Sequence, residues 1–213
     1  MTKYLQNIVN TAQTIYLVRH GETDWNRSGT LIGQNDISLN KNGRNQAAKV
    51  AQWLKTKGIQ SIYASTLSRA RETSLIISKA TNIEINLDSR LREINAGLWT
   101  GRDKEKLKKE EAAVWFSWRN GNENIKPSLA ESYKDLQNRS MRAFNEICQG
   151  MERTAVVTHH GVIRVILAQL LDVEILDIEK EYYIPPASTT IIQKSVDGTY
   201  AAKNIGFKDY LEE

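Results

Sequence analysis

The sequence predicts a single-domain α/β fold, with a largely parallel central sheet flanked by helices on both faces. Three observations carry this. Short, β-rich apolar runs alternate with segments whose apolar residues recur at helical spacing, the pattern of parallel strands joined by crossover helices. The chain has 213 residues, 40% of them hydrophobic and 25% charged, which suits one domain with a substantial core. All three histidines fall in two short motifs, each directly after an apolar run, where open α/β sheets keep their ligand sites.

Met1 to Gln13 lacks the continuous apolar stretch of a secretory signal and is read as an N-terminal extension (1–13) ahead of a domain spanning 14–213. Ile15-Tyr16-Leu17-Val18 is the first strand, and a polar, glycine-punctuated loop follows from His20 to about Asn40. Ala47, Val50, Ala51 and Leu54 repeat at helical spacing and predict a helix over 41–57 that stops at Gly58. Residues 61–64 read as the second strand, and Ser65 or Thr66 is expected to cap a helix running to about Ala80. Residues 84–87 read as a third strand, and 91–101 as irregular. One helix is predicted over 102–119, carrying Trp115, Phe116 and Trp118. Its stretch 102–111 mixes charge signs at helical spacing, as a solvated face does. A helix over 131–149 has Tyr133, Leu136, Met141, Phe144 and Ile147 as its apolar side. A strand at 154–158, a very apolar helix at 162–171 and strands at 189–193 and 200–205 complete the pattern.

Composition removes several function classes. No apolar run approaches membrane-spanning length, so no membrane partner is expected. Cys148 is the only cysteine, which rules out an internal disulfide and fits the cytoplasmic location expected here. The 29 basic and 25 acidic residues leave a net charge of +4. Their intermixing speaks against nucleic acid and suits a small acidic substrate. There is no P-loop, no His-x-x-x-His and no Cys-x-x-Cys pair, and adjacent His159 and His160 are badly placed to share one metal. No metal and no cofactor are expected.

The motifs are Leu17-Val18-Arg19-His20-Gly21-Glu22-Thr23 and Val156-Val157-Thr158-His159-His160-Gly161-Val162-Ile163-Arg164. Transfer of a phosphoryl group from a monoester needs a nucleophile, cations around the non-bridging oxygens and an acid for the leaving oxygen. His20 suits the first role. Arg19 and Arg69 could each offer a planar fork, with Arg71 a rival beside Arg69. His159 could be a cationic or hydrogen-bonding partner. Glu93, in Leu91-Arg92-Glu93, could donate the proton or merely pair with Arg92. Asn26 is open between phosphate donor and loop stabiliser, Trp25 is open between packing and binding, and His160 is read as a histidine near the pocket.

The first motif resembles the signature of the histidine phosphatase superfamily, the phosphoglycerate mutase-like group. Asn26, the loop 33–39, the segment 65–73, Leu91-Arg92-Glu93 and the segment 158–164 recur in that family's order, so the resemblance spans about residues 14–195. It implies a metal-free phosphohistidine mechanism. His20 would carry the phosphoryl group. Arg19, Arg69 and His159, the last matching the family's second histidine, would form the phosphate pocket with Asn26 as a further donor; Gly33 and His160 are candidate contacts beside it. Glu93 would be the proton donor.

Within that family, mutases usually carry threonine where this chain has Ile32. They follow the acid with an arginine and a tyrosine, where Ile94 and Ala96 stand here, and they hold a basic insertion not found in this chain. Many of the phosphatases have glutamine at 32, for which Gln34 could compensate, and Gly-Glu-Ser where Ala130-Glu131-Ser132 stands. A phosphatase acting on a small phosphorylated metabolite is therefore favoured. A phosphoglycerate mutase and a catalytically silent phosphate binder are the alternatives, and a homodimer is left open. The helix over 102–119 is expected to form a lid over the leaving group.

Overall fold

Six strands form one sheet in a computed structural model that describes residues 11–212: β1 (Thr11–Arg19), β2 (Ser61–Ser65), β3 (Ile85–Asp88), β4 (Arg153–Thr158), β5 (Thr189–Ser195) and β6 (Tyr200–Phe207). Their order is β3-β2-β4-β1-β5-β6. The run from β3 to β1 is parallel, and β5 and β6 extend it antiparallel. The expected α/β architecture with a mostly parallel sheet is thus what the chain forms.

Interior strands are buried on both faces, which is why they read as unbroken apolar runs. Along β1, Ile15 and Leu17 face one core with Val156 of β4, while Tyr16 and Val18 face a second with Ala155 and Val157. The second core is closed by α2 (Lys41–Thr56) and α3 (Ser68–Thr81), the first by α5 (Ala112–Arg119), α6 (Tyr133–Ile147) and α7 (His160–Leu171). Three short α-helices, α1 (Asp24–Arg27), α4 (Lys104–Glu110) and α8 (Ile175–Glu181), and three 3-10 turns complete the elements of the described residues.

Several expectations need correction. β1 begins at Thr11, so residues 11–13 belong to the sheet rather than to an extension. Thr11 and Gln13 pair with Ser195 and Lys194, and the buried Gln13 amide donates to the carbonyls of Ile147 and Met151. Residues 1–10, the rest of that segment, lie outside the described residues. The single helix predicted over 102–119 is two helices, because Glu111 leaves helical geometry at φ −124° and ψ 32°. Neither Ser65 nor Thr66 caps α3. Its N-cap is Leu67, without a side-chain bond, and Ser65 instead faces His159. α1 and α8 were not foreseen.

Two glycines seat the loop after β1. A Cβ on Gly21 would lie 2.4 Å from the Gly43 carbonyl oxygen, and one on Gly43 would lie 2.1 Å from that of Glu22. The loop carrying His20 therefore rests directly on the first turn of α2, backbone to backbone.

Candidate active site

The two histidine motifs meet because β1 and β4 are parallel neighbours. Arg19 pairs with Thr158, so His20 and His159 leave the sheet side by side. Their ring centroids are 5.1 Å apart, at 57°. His159 ends as the N-cap of α7 and His160 begins that helix, so the two adjacent histidines point to different places. His159 is fully buried behind His20, with Nε2 2.8 Å from Ser65 Oγ and Nδ1 without a partner. His160 lines the cavity beside the site.

Hydrogen bonds fix the tautomer of His20. Nδ1 lies 2.7 Å from the Gly21 carbonyl oxygen, which can only accept, so Nδ1 carries the proton. Nε2 is then the unprotonated nitrogen, and its lone pair accepts from Arg69 Nε at 3.2 Å. Arg69 is itself held by the carbonyls it donates to, Nη1 to Asn35 and Nη2 to Gly33, both at 2.9 Å. Arg71, the rival read from sequence, is exposed. Arg19 donates from Nη1 to the Ile184 carbonyl at 2.6 Å, and its buried Nε has no partner. Burial lowers both guanidiniums to about 10, with Glu93 pulling each the other way, so both remain cations at neutral pH.

Glu93 lies opposite, with Oε1 accepting from Ile94 N at 2.9 Å and from Gly161 N at 3.1 Å. Arg92 does not pair with it, donating instead to Thr66 Oγ1. Asn26 serves two ends: Oδ1 accepts from Thr23 in a capping box, and the residue lines the cavity. Trp25 packs towards Gly101 and is not on the cavity wall. Gln34 does not stand in for a pocket amide at position 32, because its Nε2 is held by the Glu93 carbonyl at 2.9 Å.

These side chains open into a cavity of about 210 Å³. Arg19, Arg69, Lys104, Lys108 and Arg119 line it against two carboxylates, Glu93 and Glu179. This excess of cationic over anionic side chains gives the cavity a positive lining. Lys104 and Lys108 belong to the mixed-charge stretch read from sequence as a solvated face; helix α4 turns both towards the cavity. Burial, and then Arg19 and Arg119, lower the pKa of Lys104. From α5, Trp115 and Arg119 reach the cavity, whereas Trp118 is a core anchor whose Nε1 donates to the Glu131 carbonyl at 2.8 Å. Glu179 of α8 ties Arg119 to the fully buried Arg164, at 2.5 and 2.8 Å. Lys104, Lys108, Tyr133, Gly161 and Glu179 were not singled out from sequence as site residues.

The family model for the histidine phosphatase superfamily (branch 1) matches residues 15–203, almost the whole chain. The chain belongs to the histidine phosphatase superfamily. Among curated relatives, a probable phosphoglycerate mutase GpmB of Erwinia tasmaniensis is 36% identical over 164 residues, covering 74% of each chain. Among solved structures, YhfR of Bacillus stearothermophilus superposes with a TM-score of 0.84 at 30% identity, covering 94% of this chain and 100% of that one. Phosphoserine phosphatase of Entamoeba histolytica, solved with 3-phosphoglyceric acid, gives 0.82 at 25% identity, covering 93% and 99%.

Among the described residues, no three His, Cys, Asp or Glu side chains converge as a metal-ligand set. No helix of those residues is long and apolar enough to cross a membrane.

The buried histidines make a measurable prediction. Burial, then Arg69, hold both His20 and His159 well below the ordinary histidine range. A group with a lowered folded pKa binds fewer protons folded than unfolded, so stability rises with pH inside that window. Below about pH 6.5 each of the two is expected to remove up to about 1.4 kcal/mol of stability per pH unit. Thermal unfolding between about pH 7.5 and 5 checks this; a midpoint unchanged down to the acid end would show that the two rings titrate alike folded and unfolded.

Proposed function

We propose that this protein is a phosphatase that hydrolyses small phosphomonoesters, without a metal, through a phosphohistidine on His20. The observation that carries the reading is the His20 lone pair: Nδ1–H is pinned to the Gly21 carbonyl, and Nε2 is presented at the edge of a cationic cavity. Nε2 attacks phosphorus in line, while Arg19 and Arg69 take the non-bridging oxygens and hold the developing charge. Glu93 gives its proton to the leaving oxygen as the P–O bond breaks. It then takes a proton from the water that attacks the phosphohistidine, releasing phosphate and restoring neutral His20. His159 supports the His20 ring from behind.

The far wall supports a substrate with a second anionic group. Lys104 and Arg119 crowd each other and Arg19, so a ligand anion there relieves cation–cation repulsion. The names of the relatives favour one rival, a phosphoglycerate mutase, which would return the phosphoryl group to a second hydroxyl instead of water. Buried Ile32 on the cavity wall, where mutases carry a hydroxyl, supports hydrolysis instead.

The test is phosphate release with EDTA present, from an aryl phosphate and from alkyl phosphates with and without a carboxylate. Turnover in EDTA, with lower KM for the carboxylate-bearing esters, is the expected result. Interconversion of phosphoglycerates without phosphate release would replace the phosphatase reading with the mutase.

A further inference from the structure

Glu93 sits in a stretch without regular structure, Arg92 to Ala96, between two short 3-10 turns. A proton donor must meet one particular oxygen, and small displacements are costly to such a step. Something must therefore hold this stretch. The carboxylate end is held by the Ile94 and Gly161 amides, and Gly161 is closely fitted: a Cβ there would lie 2.3 Å from Glu93 Oε1.

The backbone end is held by Arg139 of α6. All five of its N–H groups are engaged. Nη1 donates to the carbonyls of Arg90 and Arg92 at 2.7 and 2.6 Å. Nη2 donates to the Glu93 carbonyl and to Glu131 Oε2, both at 2.9 Å, and Nε donates to Glu131 Oε1 at 2.6 Å. Glu131 closes the far side, its Oε2 accepting from Asn95 N at 3.1 Å and its own N–H donating to the Asn95 carbonyl at 2.9 Å. The guanidinium fork thus grips the chain on both sides of Glu93 without touching the cavity.

We propose that Arg139, oriented by Glu131, is a positioning residue for Glu93: it fixes the backbone that aims the carboxylate at the leaving oxygen. Lysine cannot replace it, because one ammonium cannot span five acceptors arranged around a planar fork. The inference rests on Glu93 being the proton donor.

The leaving group provides the readout. A nitrophenolate departs without help, whereas an alkoxide needs its proton, so loss of a well-aimed acid falls on alkyl esters. kcat/KM for p-nitrophenyl phosphate and for glycerol phosphate should be compared in wild type, Glu93→Gln, Arg139→Lys and Glu131→Gln. Arg139→Lys is expected to lose about a hundredfold on the alkyl ester, the scale of general acid catalysis, and under about threefold on the aryl ester. Added to Glu93→Gln it should cost nothing further, since both act through one carboxylate. If Arg139→Lys does not fold, Glu131→Gln, which keeps the shape and removes the charge, is expected to show the same graded loss. A graded loss for Glu93→Gln with a uniform loss, or none, for the Arg139 and Glu131 variants overturns the positioning role alone. A uniform loss for Glu93→Gln overturns the donor reading and this inference with it.

Discussion

His20→Ala is expected to lower turnover by more than about a thousandfold while leaving the protein folded. No neighbouring group can replace the lost lone pair. His159, the nearest imidazole, is fully buried behind it, and its Nε2 is engaged by Ser65. His160 lines the cavity but begins α7 rather than following β1, so it does not share the Arg69 contact that presents Nε2. Removing the ring also removes a buried base held neutral, so the variant should lose part of the acid sensitivity described above. Two measurements check this. One is phosphate release. The other is rapid quenching in alkali, which preserves a phosphohistidine that acid destroys. Label retained by wild type and absent from His20→Ala is the expected pair. A variant working within tenfold of wild type would move the nucleophile elsewhere.

Arg69→Lys is expected to lower kcat/KM by about a hundredfold to a thousandfold, the range for removing one donor aimed at developing charge. Arg69 is almost wholly buried, and its fork is committed in three directions: His20 Nε2 and the carbonyls of Asn35 and Gly33. Lysine keeps the charge and loses the fork, so the phosphate oxygens lose bidentate contact and His20 loses its orienting partner. Arg69→Ala goes further, stranding the two carbonyls. It should also lower the unfolding free energy by about 2–4 kcal/mol, measured by urea titration. Exposed Arg71 is the control, and Arg71→Ala should stay within about twofold of wild type, as surface substitutions do. An Arg71 variant more damaged than the Arg69 one would reverse the assignment.

What could be read from the sequence follows from burial. Ile15 to Val18 and Ala155 to Val157 are sandwiched between two cores, so they are apolar without alternation and stand out as strands, with the histidines at their ends. The beginning of β1 was hidden because Gln13 is buried by hydrogen bonds rather than by apolar packing. The order of Arg19, His20, Arg69, Glu93 and His159 was legible because each follows or lies beside a strand. The distal wall was not. Lys104 and Lys108 carry the same mixed-charge pattern as any exposed helix, and only the break at Glu111 sets how α4 and α5 lie over the cavity. Arg139 gave no signal in the sequence, since besides Glu131 its acceptors are backbone carbonyls more than forty positions away. The distinction between His159 and His160 rests on where α7 starts, a boundary that composition does not mark.

The position of β1 in the sheet has a consequence for how the protein is made. Among the described residues it is the first strand along the chain, yet both of its neighbours, β4 (Arg153–Thr158) and β5 (Thr189–Ser195), come late in it. Pairing across so long a stretch of chain is slow to form, and the strand stays unpaired while most of the protein is still being translated. A chain cut short before β4 would lack half of the histidine pair and the helix start that receives Glu93. The two histidine motifs and the contact from Gly161 to Glu93 therefore come together only in a chain that already contains β4 and the start of α7.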